Sequence, residues 1–152
     1  IQPIQRQPHI TIFVCGFWID PVTNLDEFSS IQFEQQRQQL QHSSLEPVQL
    51  ITGKIRSFNS SLCVEIKDPS GYLAQLRYVL GQSADEIRTQ AYFPHISLGI
   101  YRQAYSYDQI MASIDAVEQQ YFKLNCSQLY FGYYQPQHLQ GPLLAVDTLR
   151  LD

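Results

Sequence analysis

Two of the four histidines lie in matching pentapeptides, Pro8-His9-Ile10-Thr11-Ile12 and Pro94-His95-Ile96-Ser97-Leu98. Each reads Pro-His-apolar-hydroxyl-apolar, and the two histidines stand 86 residues apart. Histidine titrates near neutrality, with an unperturbed pKa of about 6.5, so one imidazole can take a proton while another gives one. A Thr or Ser hydroxyl can donate a hydrogen bond to an oxygen on which negative charge is building. Together the four groups suit acid–base chemistry around a small anion such as a phosphate. At ordinary composition a given His has about a 2% chance of an apolar-hydroxyl-apolar context, and two among four His occur by chance on the order of a few times in a thousand. The remaining two, His42 and His138, lack the pattern.

The spacing dictates what must hold these groups. Side chains two apart on a strand share a face. His9 and Thr11 therefore share one side of a strand over 9–18, with Ile10 and Ile12 on the other. Strand 92–101 does the same for His95 and Ser97, with Ile96 and Leu98 opposite. By the same parity Phe13, Cys15 and Phe17 extend the first chemical face, and Gly99 and Tyr101 the second. The repeat suggests an internal duplication with approximate symmetry.

The other elements alternate around these strands. Ser29 or Ser30 caps a Gln-rich helix over 32–41, with Phe28, Ile31 and Leu40 as a partial apolar stripe. Residues 48–58 and 62–67 form two strands joined around Asn59-Ser60-Ser61. Asp68 as N-cap and Pro69 at the first helical position open a helix bearing Leu73, Leu76, Tyr78 and Leu80. Ser106 and Gln109 form a capping box for a helix with Ile110, Ile114, Val117 and Tyr121. Residues 122–134 and 143–151 read as two late strands.

Composition narrows the class. The 152 residues suit one domain. Apolar residues make up 44% and charged residues 16%, which excludes wholesale disorder. No apolar run reaches the roughly 20 residues of a membrane span. The net charge is −4, whereas a protein gripping long nucleic acid through phosphates needs a basic surface. Cys15, Cys63 and Cys126 are scattered and odd in number, which fits free thiols in a cytoplasmic protein rather than a zinc site. Nothing resembles a carboxylate cluster for Mg²⁺, so no metal and no other cofactor is expected.

The paired motifs resemble those of the 2H phosphoesterase superfamily, which includes 2′-5′ RNA ligase-like proteins and cyclic nucleotide phosphodiesterases. Tyr92-Phe93-Pro94-His95-Ile96-Ser97-Leu98 is closest to the cyclic phosphodiesterase branch. The stretch Thr52-Gly53-Lys54 through Ser57-Phe58 to Cys63-Val64 resembles the strand pair between that branch's motifs. The resemblance implies an α+β fold of two pseudo-symmetric lobes, each an antiparallel sheet with outer helices, with the motif strands lining a central groove. It implies His9 and His95 as catalytic residues and Thr11 and Ser97 as phosphate-binding ones. The family carries a strand and a helix before its first motif, whereas eight residues precede His9. Either the chain is truncated or that element is absent. Some relatives place Arg or Tyr five residues after the second His; here Ile100 stands there, followed by Tyr101 and Arg102.

The expected activity is metal-independent hydrolysis of a 2′,3′-cyclic phosphate, or of an ADP-ribose 1″,2″-cyclic phosphate. The alternatives are the reverse reaction, joining RNA ends through a 2′-5′ bond, and a non-catalytic nucleotide-binding module. Tyr101, Phe58 and Tyr134 are candidates to stack on a base. The expected partner is a small nucleotide or an RNA end, met by a monomer, with neither membrane nor long nucleic acid involved.

Overall fold

The computed structural model describes residues 2–3, 6–138 and 141–151, the first two by backbone alone. Period-two patterning builds its main sheet. In β4 (Val48–Ser57) the side chains of Val48, Leu50 and Thr52 are buried in alternation. β5 (Ser61–Lys67) buries Cys63 and Ile66. A tight turn joins them, with Phe58 N–H donating to the Ser61 carbonyl at 2.8 Å. β6 (His95–Ile100) lies against the other edge of β5. β1 (Gln2–Pro3) and β7 (Lys123–Cys126) complete a five-stranded sheet ordered β1-β6-β5-β4-β7, with every neighbouring pair antiparallel.

One face of this sheet is covered by helices α1 (Ser30–His42) and α2 (Tyr72–Leu80). Leu40 from α1, Leu73, Leu76 and Leu80 from α2, and Val48, Leu50 and Ile66 from the strands share one core with Leu45 and Leu151. A hairpin of β8 (Gln128–Tyr133) and β9 (Leu144–Arg150) adds a second antiparallel sheet. Its Leu129, Phe131 and Leu149 pack on the same core. Two short strands, β2 (Phe17–Trp18) and β3 (Glu27–Phe28), pair in parallel, and α3 (Tyr107–Asp115) lies between β6 and β7 in the chain. The fold is thus α+β, with antiparallel sheets and helices packed outside, as the resemblance implies. No helix among the described residues is long and apolar enough to cross a membrane.

Capping chemistry works as the sequence suggests at two helices. Ser29, rather than Ser30, caps α1 in a reciprocal box with Gln32, and Ser106 caps α3 with Gln109. Gln36, fully buried in the Gln-rich helix, donates from Nε2 to the Leu80 carbonyl at 2.9 Å.

Four sequence expectations are corrected. The helix expected from Asp68-Pro69 starts at Tyr72 behind a left-handed Gly71 (φ 73°). Asp68 still caps it from outside, accepting from the Leu73 amide at 2.6 Å. Tyr78 is exposed, and Val117 and Tyr121 lie exposed beyond the end of α3. The late strand expected over 122–134 is two strands, because the chain leaves β4 at Ser127 and pairs with β9 instead. The largest correction is the strand expected over 9–18: only Phe17–Trp18 is laddered.

Candidate phosphate site

The second motif is carried by the sheet. His95, Ile96 and Ser97 pair with Glu65, Val64 and Cys63 of β5. Ile96 packs against the core, so alternation turns His95 and Ser97 to the opposite face. The register then slips: Cys63 pairs with Ser97, but Leu62 pairs with Gly99. Leu98 is therefore an extra residue, a β-bulge, and it is exposed where strict alternation would bury it beside Ile96. The bulge also breaks the parity that aligned Gly99 and Tyr101 with His95.

His95 has a defined ring orientation. Its Nδ1 lies 2.7 Å from the Phe93 carbonyl oxygen. A carbonyl only accepts, so Nδ1 is the donor in this bond and Nε2 is the ring nitrogen it leaves over. The Phe93 ring stacks on the imidazole at 6.0 Å and 24°. Phe58 meets it edge-on at 5.3 Å and 75°, and the two phenyl rings also meet edge to face.

The first motif repeats this detail without the strand. His9 Nδ1 lies 2.7 Å from the carbonyl oxygen of Gln7. In both copies the acceptor is the residue two before the histidine, so the same tautomer follows, and neither Nε2 has a hydrogen-bond partner among the described residues. Residues 7–16 form no ladder, and side chains take over much of that task. Tyr92 Oη donates to the Thr11 carbonyl at 3.2 Å. Arg77 Nη1 donates to the Ile12 carbonyl at 2.6 Å. Glu86 Oε1 accepts from the Val14 amide at 3.0 Å, and the Ile87 amide donates to the Val14 carbonyl at 3.1 Å.

Ile10 and Ile12 pack against the core as expected, but so does Phe13. Cys15 points inward too, donating to Gln36 Oε1 at 3.5 Å. Burial first, and the nearby Glu86 charge second, push its thiol up to about 12. Strand parity had aligned both with His9. It fails because the segment is not a regular strand and turns at Gly16, whose φ of 128° suits glycine.

Tyr92 and Arg77 join the two motifs. Tyr92 lies three residues before His95 and bonds the backbone of Thr11. The Arg77 guanidinium sits 4.1 Å from the Tyr92 ring centre while bonding Ile12. Thr11 and Ser97 are half-buried, and no hydrogen bond of either hydroxyl is seen among the described residues.

The aromatic candidates separate. Phe58 stands beside His95, 39% exposed. Tyr101 hydrogen-bonds Ser57 Oγ at 2.8 Å and meets Tyr105 edge-on. Tyr134 has the Arg6 guanidinium 3.9 Å over its ring, so one of its faces is taken. The loop before β9 is tied to the first motif's lead-in: Arg6 Nε donates to the Gly141 carbonyl at 2.9 Å and the Leu143 amide to Gln7 Oε1 at 3.3 Å.

Sequence reasoning missed Phe93, Tyr92, Arg77 and Glu86 as supports. The only local signal was a charged residue, Arg77, next to the core position Leu76 on α2. His42 bonds its own helix at the Gln38 carbonyl, away from either motif. Among the described residues no three His, Cys, Asp or Glu side chains are grouped to hold a metal ion.

Each imidazole is held by the same local hydrogen bond, from Nδ1 to the carbonyl two residues before it, and a Thr or Ser hydroxyl stands two residues after each. No curated protein matches the chain. A family model described as the 2′-5′ RNA ligase superfamily matches residues 4–137, spanning both motifs and strands β4 to β7 of the sheet that carries the second. With its paired motifs repeated in both sequence and ring geometry, the chain belongs to the 2′-5′ RNA ligase superfamily.

Proposed function

We propose that the protein hydrolyses a 2′,3′-cyclic phosphate, or the 1″,2″-cyclic phosphate of ADP-ribose, without a metal. The observation that carries this reading is the repeated imidazole geometry. His9 and His95 each spend Nδ1–H on the carbonyl two residues back and present Nε2. Opening a cyclic phosphate needs a base for the attacking water and an acid for the departing ribose oxygen. One neutral imidazole takes the water proton through Nε2 as the new O–P bond forms. The other, protonated, gives its Nε2 proton to the ribose oxygen as the old P–O bond breaks. Thr11 and Ser97 donate to the non-bridging oxygens as charge builds on them. The product is a phosphomonoester beside a free hydroxyl.

The same groups run the reverse reaction by microscopic reversibility, and the family's description includes ligation. A ligase must hold two polynucleotides at once, and a net charge of −4 does not favour that. Hydrolysis by a single-domain monomer is therefore the reading adopted. Phe58, beside His95, is the best placed of the three aromatics to meet a base.

The test is an assay of 2′,3′-cyclic mononucleotides in chelator, with the product's phosphate position determined. Turnover that persists in EDTA and disappears in both His9→Ala and His95→Ala is the expected result. Activity that is lost in EDTA and restored by Zn²⁺ or Mg²⁺ overturns the metal-free reading. Sealing of RNA ends without cyclic-phosphate hydrolysis assigns the ligase instead.

A further inference from the structure

We infer that Arg77, paired with Glu86 and backed by Tyr92, is a positioning residue that holds the first motif in register with the second. This rests on the function proposed above. The two motifs need equal precision, because an acid and a base must lie on opposite sides of one phosphorus. The second motif obtains it from ladder hydrogen bonds on β5. The first has no ladder, yet an extended segment must still place its backbone polar groups somewhere.

Three side chains supply those partners. Arg77 Nη1 bonds the Ile12 carbonyl, and its Nη2 lies 2.6 Å from Glu86 Oε2. The other Glu86 oxygen takes the Val14 amide. The Ile12 carbonyl and the Val14 amide are thus bridged by one ion pair, as a neighbouring strand would bridge them. Tyr92 Oη bonds the carbonyl of Thr11, and the Arg77 cation rests on the Tyr92 ring. Because Tyr92 leads into His95, the pair references the first motif to the second.

The pair is mostly shielded from water, at 22% and 9% side-chain exposure. A buried pair is poor at adding net stability, so what this one contributes is the placement of the two backbone groups it bonds. Here the guanidinium has the rigid fork needed to reach a carbonyl and a carboxylate together. Lysine has a single nitrogen and cannot reproduce both contacts from one fixed plane.

The experiment compares Arg77→Leu, Arg77→Lys and Glu86→Gln with wild type, each well below its own unfolding temperature. Two readouts are taken: kcat and KM on a 2′,3′-cyclic nucleotide, and the imidazole NMR signals, assigned with His9→Ala and His95→Ala. Arg77→Leu is expected to lower kcat about 10–100-fold with KM within about twofold, as misplacement of a catalytic group does. Its His9 signals shift further than its His95 signals, and Arg77→Lys restores only part of kcat. A folded Arg77→Leu with wild-type kcat and unmoved His9 signals overturns the inference. If Arg77→Leu does not fold, Glu86→Gln decides, since glutamine keeps an acceptor for Val14 while losing the charge. Unchanged kcat and unmoved His9 signals in that variant overturn it equally. Should wild type hydrolyse no cyclic phosphate, the proposed function fails, and the His9 signals alone decide whether the pair positions the motif.

Discussion

The two His-x-hydroxyl motifs share one imidazole hydrogen bond on two different supports. His95 and Ser97 stand on a strand between two neighbours, β1 and β5. His9 and Thr11 stand on an unladdered segment fixed by Tyr92, Arg77 and Glu86. Nevertheless both imidazoles bond the carbonyl two residues earlier at 2.7 Å. Local geometry of a Pro-His-apolar-hydroxyl stretch sets that bond, whereas the means of holding the stretch is interchangeable. A backbone ladder shares its load over many bonds; a side-chain clamp concentrates it in a few. The first motif is accordingly the more fragile of the two.

The largest effect should be the same at both motifs. His9→Ala and His95→Ala should each cut kcat about 10²–10⁴-fold while the circular dichroism stays native, since both rings are only half-buried. The wild-type pH–rate profile should be bell-shaped, because one ring must be neutral and its partner charged. Near-native turnover in either variant ends the symmetric acid–base scheme.

The next effect sharpens the comparison at the hydroxyls. Thr11→Val and Ser97→Ala should each lower kcat/KM roughly 10–1000-fold, as loss of an oxyanion donor does. Unfolding temperature should barely move, because both residues are only half-buried and no hydrogen bond of either hydroxyl is seen among the described residues to be stranded. A destabilised but fully active Thr11→Val would place that hydroxyl in the fold rather than the site.

Hydrogen exchange tests the supports themselves. The β6 amides that bond to β5, such as that of Ile96, should exchange about 10²-fold or more slowly than those of Ile10, Ile12 and Phe13, which lack ladder bonds. Equal protection would show that the first motif is held as firmly as a strand.

The smallest effect is in alkali. Burial pushes Tyr92 up to about 12, as burial and then Glu86 do for Cys15. Both groups hold their protons more tightly folded than unfolded, so the native state binds more protons and stability falls as pH rises. For Cys15 the window runs from its ordinary value of 9.0 to about 12. Cys15→Ala should make the stability–pH curve shallower over that range in denaturant titrations. An unchanged slope would show that the Cys15 thiol does not contribute to the alkaline loss. Cys63, in the sheet beside Ser97, is pushed by burial to about 11 and adds its own loss there.

Much of the molecule was legible from residue types and spacing. The paired motifs, the β4–β5 hairpin and the two Ser-x-x-Gln caps are all local patterns, so their reasons are contained within a few residues. Ile10, Ile12 and Ile96 were correctly turned toward the core by alternation alone. What tertiary structure decided lies where local rules meet partners distant in sequence. Whether residues 9–16 become a strand depends on having a neighbouring strand, and sequence cannot show that an arginine 65 positions beyond Ile12 will take that place. Phe13 and Cys15 turned inward because anchors from α2 and the loop after it override pleat alternation. The bulge at Leu98 arises from register against β5, so the face of Tyr101 could not be read from parity. Chemistry was written in the local pattern, and the alignment of its two halves was set by contacts that only the folded chain creates.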